Sequence, residues 1–465
     1  MNPQRILVSV ARPDAGQAPS NARTGRVSDV SEMSGTARWS GPSADMAGGR
    51  NVWLACLIAL VAVLVFVNLA NDAAIDMNYG WDVRVNCAAV DAHAAGLDPY
   101  FVKNLKGTRL SYPYLPATLD VFRPLCAGGF LVDHYRSVYL VLAVLCGLLL
   151  PGLGRPRAGL RDVALRCLCA LGAFVGFEWV QASGNFAILG GALTAVALAL
   201  LLRPLAYDDR GFGARVAGAA LLGLAMSFKL VFCPVLAALY FLPLPRRRKI
   251  VVIAAAGAGF VLPILLSMAF YPDLFASWLL AIRGQIPDQH SVYLEETNPS
   301  LLLLGLSVAG HVGLADLRPV MFAAYGLLAI ALVLAPLALS VRGAIGPGEG
   351  SLLVRLDRWL IDHPHTAMRV TMLAMYGFYL CSPRLKEYAF FELALYAAVL
   401  VVDLPAAALA AVLIVGIAIP ALASIAGTAF EGSFILLAIA LVCFWFMLLD
   451  FRATLPRRVA EGEWS

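Results

Sequence analysis

Long uncharged apolar runs alternate along this chain with short breaks that carry arginine. Residues 52–70 hold no charge, and a helix needs about 20 apolar residues to cross a bilayer. Comparable runs follow at 137–153, 163–180, 185–202, 250–270, 317–341, 367–381, 390–402, 406–426 and 434–449. Residues 214–227 and 231–242 read as a short apolar pair turning at Phe228-Lys229-Leu230. The pattern predicts an all-α polytopic membrane protein with about twelve transmembrane helices. Residues 114–132 are apolar but interrupted by Asp120, Arg123 and Pro124. Charges inside lipid are expensive, so this stretch is expected to be an interfacial or re-entrant helix in the first outside loop.

The arginines orient the bundle. Residues 1–50 are rich in Ser, Ala, Gly and Arg without an apolar run; they cannot bury a core and are expected to be a disordered cytoplasmic tail. Arg5, Arg12, Arg23, Arg26, Arg38 and Arg50 place that tail inside by the positive-inside rule. The loop 71–136 then faces the periplasm. The short loops carrying Arg155, Arg157 and Arg161, then Arg203, Arg210 and Arg215, then Arg246 to Lys249, then Arg342, Arg355 and Arg358 all fall inside. The tail 451–465, with Arg452, Arg457 and Arg458, does so too, leaving 51–450 as the membrane-embedded domain.

Composition agrees with the pattern. Hydrophobic residues make up 60% and charged residues 14% of 465, too much apolar surface for a soluble chain of this length. No basic run is interleaved with aromatics, so nucleic acid is not an expected partner. The histidines show no HExxH spacing and the nine cysteines no CxxC, so no zinc site is expected; the first outside loop has no DxD motif and no metal is required, though Asp72 and Asp76 leave one open. Cys87 and Cys126 could meet as a disulfide in the first outside loop, but nothing fixes a distance between them, and free thiols are the leading expectation.

The remaining polar residues gather at the outward ends of the helices: Asp82, Arg84, Tyr112, Gln181, Asn185, Lys229, Asn298 and Ser382 to Tyr388, which includes Arg384 and Lys386. Ionisable groups beside apolar segments mark functional sites by default. Bland readings stand beside each. Lys229 can snorkel to an interface, Asn185 can cap the following helix, and Arg384 and Lys386 can be ordinary interfacial charges. Glu178, next to Trp179, is expected to pair with an arginine.

Several motifs occur in order: Gly80-Trp81-Asp82-Val83-Arg84, Gly96-Leu97-Asp98-Pro99-Tyr100, Tyr112-Pro113-Tyr114-Leu115-Pro116, Ser183-Gly184-Asn185, Ser227-Phe228-Lys229 with Pro234, and Asn298-Pro299-Ser300-Leu301. The set resembles glycosyltransferase family 87, multi-spanning enzymes of GT-C fold that use polyprenyl-phosphate sugars. The resemblance spans roughly residues 52–450. Tyr114 stands where the family usually has a second proline. Residues 382–388 lack the Trp and His of many mannosyltransferase members, which weakens mannose as the donor sugar.

The resemblance implies a cofactor-free transfer of a sugar, mannose foremost, from a polyprenyl-phosphate donor to a lipid- or glycan-linked acceptor. The reaction would take place on the periplasmic face of the cytoplasmic membrane. Asp82 would be the general base, with Asp76 as rival. Lys229, Arg384 and Lys386 would stabilise the departing phosphate. Gln181, Asn185, Asn298 and Tyr112 would hold sugar hydroxyls, with Arg84 also at the site. A lipid-linked sugar transporter or flippase would be expected to show internal repeats, and none is visible. A glycan polymerase or ligase would be expected to have a large late outside loop, and the late loops are short.

Overall fold

The structure, a computed structural model, describes residues 44–74, 80–153, 159–202, 210–286, 298–311, 313, 318–427 and 434–455. The expectations for residues 1–43 of the N-terminal tail, for Asp76 and for Arg155, Arg157, Arg203, Arg457 and Arg458 fall outside these residues; residues 44–50 of the expected disordered tail are instead the first residues of α1. Among the described residues every regular element is helical. In chain order these are α1 (Ala44–Ala74), α2 (Trp81–Ala94), α3 (Thr118–Cys126), α4 (Phe130–Leu149), α5 (Leu160–Gly172), α6 (Gly176–Ser183), α7 (Ala187–Leu201) and α8 (Arg210–Ser227). A 3₁₀ segment, Leu230–Phe241, precedes α9 (Arg246–Phe270). Next come α10 (Pro272–Ile282), α11 (Leu301–His311), α12 (Arg318–Ala329), α13 (Ala335–Ile345) and α14 (Leu352–Asp362). The chain closes with α15 (Pro364–Leu380), α16 (Phe390–Val401), α17 (Ala406–Leu413), α18 (Ile419–Ile425) and α19 (Ile435–Thr454).

Among the described residues, seven helical stretches are long and apolar enough to cross a membrane: Val52–Asn71, Thr118–Leu149, Leu160–Ser183, Arg246–Phe270, Pro319–Ile345, Ala406–Ile425 and Ile435–Thr454. This is a multi-pass membrane protein. Each of the seven overlaps a run read from the sequence. The other expected spans fall on shorter helices, α7, α8, the 3₁₀ segment, α15 and α16. The 3₁₀ segment contains Pro234, which has no N–H to give an α-helical bond. A 3₁₀ coil rises about 2 Å per residue, so it reaches further than an α-helix of equal length.

The stretch expected to lie at the interface is α3, which is amphipathic. It buries Leu119, Phe122 and Cys126 and exposes Asp120, Val121 and Arg123. Arg123 pairs with Asp120 at 3.0 Å. The chain turns into α4 through Gly128 and Gly129, both left-handed, with φ 67° and 74°.

The core lies around α15 and α16. Every residue of α16 is buried, as is nearly all of α15 from Ala367 onward. An ion pair anchors α15 to α19: Arg369 Nη2 donates to Asp450 Oδ2 at 2.7 Å, and Nη1 to Thr454 Oγ1 at 2.9 Å. Among the described residues, Glu178 has no arginine as its bonded partner. Its carboxylate accepts from Asn68 Nδ2 and Ser424 Oγ, each at 2.6 Å. Neutral donors satisfy a buried carboxylate without burying a second charge.

Small residues bring α8 and α9 together. A Cβ on Gly223 would stand 1.9 Å from the Ala256 carbonyl oxygen, and one on Gly259 would stand 2.1 Å from that of Ala220. The two backbones are in van der Waals contact, and Lys229 lies two residues past the end of α8.

Candidate functional site

Asp82 occupies the first turn of α2, and the local backbone explains how it gets there. Gly80, the residue before the helix, is left-handed with φ 81°, and its N–H donates to the Ala182 carbonyl at 2.8 Å. Gly184 ends α6 with φ 68°. A Cβ at Gly184 would stand 2.9 Å from Val83 Cγ1 and 3.1 Å from Gly80 Cα. Two glycines therefore let the start of α2 abut the end of α6, and Tyr139 Oη fixes the junction by donating to the Gly184 carbonyl at 3.1 Å.

This junction sets Asp82 against Asn185. The Asn185 amide Nδ2 donates to Asp82 Oδ2 at 2.7 Å, while its Oδ1 accepts from the Ala187 N–H at 2.8 Å. Asn185 thus caps α7, as the bland reading held, and binds Asp82 as well. Asp82 is half-buried. Burial pushes its carboxyl above the ordinary carboxylate range, while the Asn185 bond, the charges of Lys229 and Lys386, and a bond from Ser183 pull it back. Tyr114, Tyr139 and Tyr388 also lie within its electrostatic reach.

Two cations, Lys229 and Lys386, act on this carboxylate, and Arg384 acts on both of them. Lys229 sits in the turn between α8 and the 3₁₀ segment, its ammonium 3.7 Å from the centroid of the Tyr388 ring. Burial draws Lys229 down to about 7, Asp82 and Glu392 act to raise it, and Arg384 and Lys386 repel it. Lys386 is lowered as well, by burial and then by Arg384. Arg384 is exposed, Lys386 half-buried. A small cleft opens at Lys229, walled by Tyr114, Phe186, Phe228, Phe232 and Tyr379, with Glu392 among its lining.

The other candidates are placed differently. Arg84 is exposed, and two residues on from Asp82 it lies on another face of α2. Tyr112 is fully buried, its hydroxyl 2.5 Å from Thr118 Oγ1, within a cluster with Tyr100, Tyr114 and Phe122. Tyr114, its neighbour two residues on, lines the cleft instead. Gln181 Nε2 donates to the Arg136 carbonyl at 3.3 Å, tying α6 to α4. Asn298 is 3% exposed and adjoins the 382–386 loop, because Ser300 Oγ donates to the Pro383 carbonyl at 2.9 Å.

One feature was the lesser alternative of the sequence reading, and a second escaped it. Cys87 and Cys126 form a disulfide, with Cα atoms 5.2 Å apart, which fastens α2 to the end of α3. The expectation of free thiols there is corrected, since packing of α3 across α2 supplies a distance that spacing does not encode. Glu392, in the first turn of α16, belongs to the cleft; a lone Glu after two phenylalanines in an apolar run was the available signal.

No protein-family profile matches the chain, and no curated protein sequence does. Among solved structures, a crystal structure of ArnT from Cupriavidus metallidurans in the apo state is similar over 88% of this chain and 77% of that one, at 15% identity and a TM-score of 0.32. That likeness is too loose to carry an argument about fold or function, and the site's own geometry has to bear it.

Proposed function

We propose that this protein is an integral-membrane glycosyltransferase of GT-C type. It moves a sugar, mannose foremost, from a polyprenyl-phosphate donor to a lipid- or glycan-linked acceptor on the periplasmic face of the cytoplasmic membrane. One observation carries the reading: Asp82, held by Asn185 at 2.7 Å at the start of α2, lies within the field of Lys229 and Lys386, whose neighbour is Arg384.

The chemistry matches that arrangement. The acceptor oxygen attacks the anomeric carbon, its proton passes to Asp82, and the bond from that carbon to the phosphate oxygen breaks. A carboxylate whose affinity for protons is raised by burial is better matched to general-base work near neutrality than an ordinary one. The departing phosphate gains one negative charge, and fixed cations at that point favour the transition state over the ground state. Asn185 holds one carboxylate oxygen and so sets the direction of the other. The Cys87–Cys126 disulfide supports the orientation, because such bonds persist in oxidising compartments.

The test is transfer of labelled sugar from polyprenyl-phosphate-mannose to extracted membrane lipid by purified protein, with Asp82→Asn in parallel. Loss of a general base costs about 10²- to 10⁴-fold. Wild-type transfer with retention of rate in Asp82→Asn rules out the base; no transfer by wild type from any polyprenyl-phosphate sugar rules out the reaction.

A further inference from the structure

Glu392 is a buried ionisable group that this mechanism leaves unused, and it is well held. Thr194 Oγ1 of α7 donates to its Oε1 at 2.5 Å, and Tyr396 Oη of α16 to the same oxygen at 3.3 Å. Tyr379 Oη of α15 donates to Oε2 at 3.4 Å. A carboxylate bonded from three helices cannot swing to follow a partner. The helices meet closely enough for this because α7 carries Gly191 at the contact, where a Cβ would stand 2.4 Å from Phe391 Cε1.

The same group is coupled to Lys229. Both line one cleft, and each charge acts on the other. The backbone is coupled as well. The Phe232 N–H donates to the Lys229 carbonyl at 3.0 Å, closing the turn that begins at the lysine. The Phe232 ring stacks on Tyr379, centroids 4.1 Å apart and planes 2° from parallel. The tyrosine that binds Glu392 therefore also seats the turn that carries Lys229.

We propose that Glu392 is a positioning residue for Lys229: a carboxylate fixed by three hydroxyls that shares the ammonium with Asp82 and keeps it charged and in place for an anionic group. Its catalytic meaning rests on the transfer reading above; the pairing itself does not. Charged and titratable groups reach Lys229 from each element around it: Asp82 on α2, Arg384, Lys386 and Tyr388 on the loop before α16, Tyr114, Tyr379 on α15, and Glu392. Two of these are carboxylates and two are cations, so removing one carboxylate leaves the cations in the majority. A bland role, in which Glu392 only ties helices together, would leave the lysine's charge unaltered.

The chain has five lysines, Lys103, Lys106, Lys229, Lys249 and Lys386, so their side-chain carbons can be followed individually. The full-length protein, made with ¹³Cε-labelled lysine and held in lipid nanodiscs, is titrated by NMR, with the Lys229 signal assigned by its loss in Lys229→Arg. Glu392→Gln keeps the size; its Oε1 can still accept from Thr194 and Tyr396, while its Nε2 donates to the Tyr379 hydroxyl instead of accepting from it. Its Lys229 midpoint is expected to fall, because an opposite charge in the same cleft that favoured the protonated ammonium is removed. Glu392→Asp, which keeps the charge but withdraws it by one methylene, is expected to shift the midpoint the same way by less, and it decides the matter if Glu392→Gln does not fold. An unchanged Lys229 midpoint in the folded variant overturns the proposal. The titration needs no substrate, so a failed transfer reading and a failed pairing give different results.

Discussion

Replacing Gly184 by alanine tests whether the α2–α6 junction places Asp82. Two costs can be worked out separately. Alanine at φ 68° enters the left-handed region, at about 1–2 kcal/mol. Its Cβ would also stand 2.9 Å from Val83 Cγ1 and 3.1 Å from Gly80 Cα, so α2 must retreat by a few tenths of an ångström. That retreat pulls on the 2.7 Å bond from Asn185 to Asp82. A hydrogen bond to a charged group contributes about 1.5–3 kcal/mol, which corresponds to roughly 10- to 150-fold in rate if it is lost. Gly184→Asn separates the effects, because asparagine tolerates the left-handed conformation but still carries a Cβ. Transfer kinetics and thermal unfolding of both variants in detergent are the assays. Both are expected to lose kcat/KM, with Asn less destabilised than Ala. A Gly184→Ala protein with lowered Tm but unchanged kcat/KM would refute the idea that this junction positions the base.

Three further outcomes are expected. The paired substitution Cys87→Ser with Cys126→Ser should lower stability by up to about 4 kcal/mol for a bond closing a separation of 39 residues, read as a fall in Tm that reductant reproduces in the wild type and not in the double variant. The pH profile of kcat/KM should be a narrow bell. The proposed mechanism needs Asp82 deprotonated and Lys229 protonated; burial raises the first and draws the second down to about 7, so activity is expected to rise above the ordinary carboxylate range and fall as pH passes about 7. A rate flat from pH 6 to 9 contradicts that assignment. Removing Arg369 with Arg369→Met leaves Asp450 buried without its partner, and should cost about 3–5 kcal/mol, seen as loss of folded protein on size exclusion without any direct change at the site.

The spans were legible because continuous apolar runs have few other uses, and each of the seven long ones falls on a predicted run. Legibility fell where partners come from far along the chain. Asn185 and Asp82 are 103 positions apart, so their bond could not be read, although both residues stood out as polar at helix ends. Tyr112 looked available, but its hydroxyl meets Thr118 inside an aromatic cluster. Glu178 called for an arginine by charge alone, whereas Asn68 and Ser424 arrive from α1 and α18. Glu392 was passed over because an apolar run with one acid still reads as a span, and only packing brings three hydroxyls to it. The disulfide needed a distance, which spacing along the chain cannot supply.

The contact between α8 and α9 bears on how the site could be altered. Lys229 leaves the end of a helix whose depth is set by Gly223 and Gly259 lying against opposing carbonyls. The height of a charge in the site is thus governed by residues that have no side chain and lie outside the cleft. A methyl group added at either glycine would act as a shim, moving the ammonium relative to Asp82 without touching either of them. Under the proposed transfer, variation in the reach of this site is therefore to be sought along that seam as much as in the cleft itself.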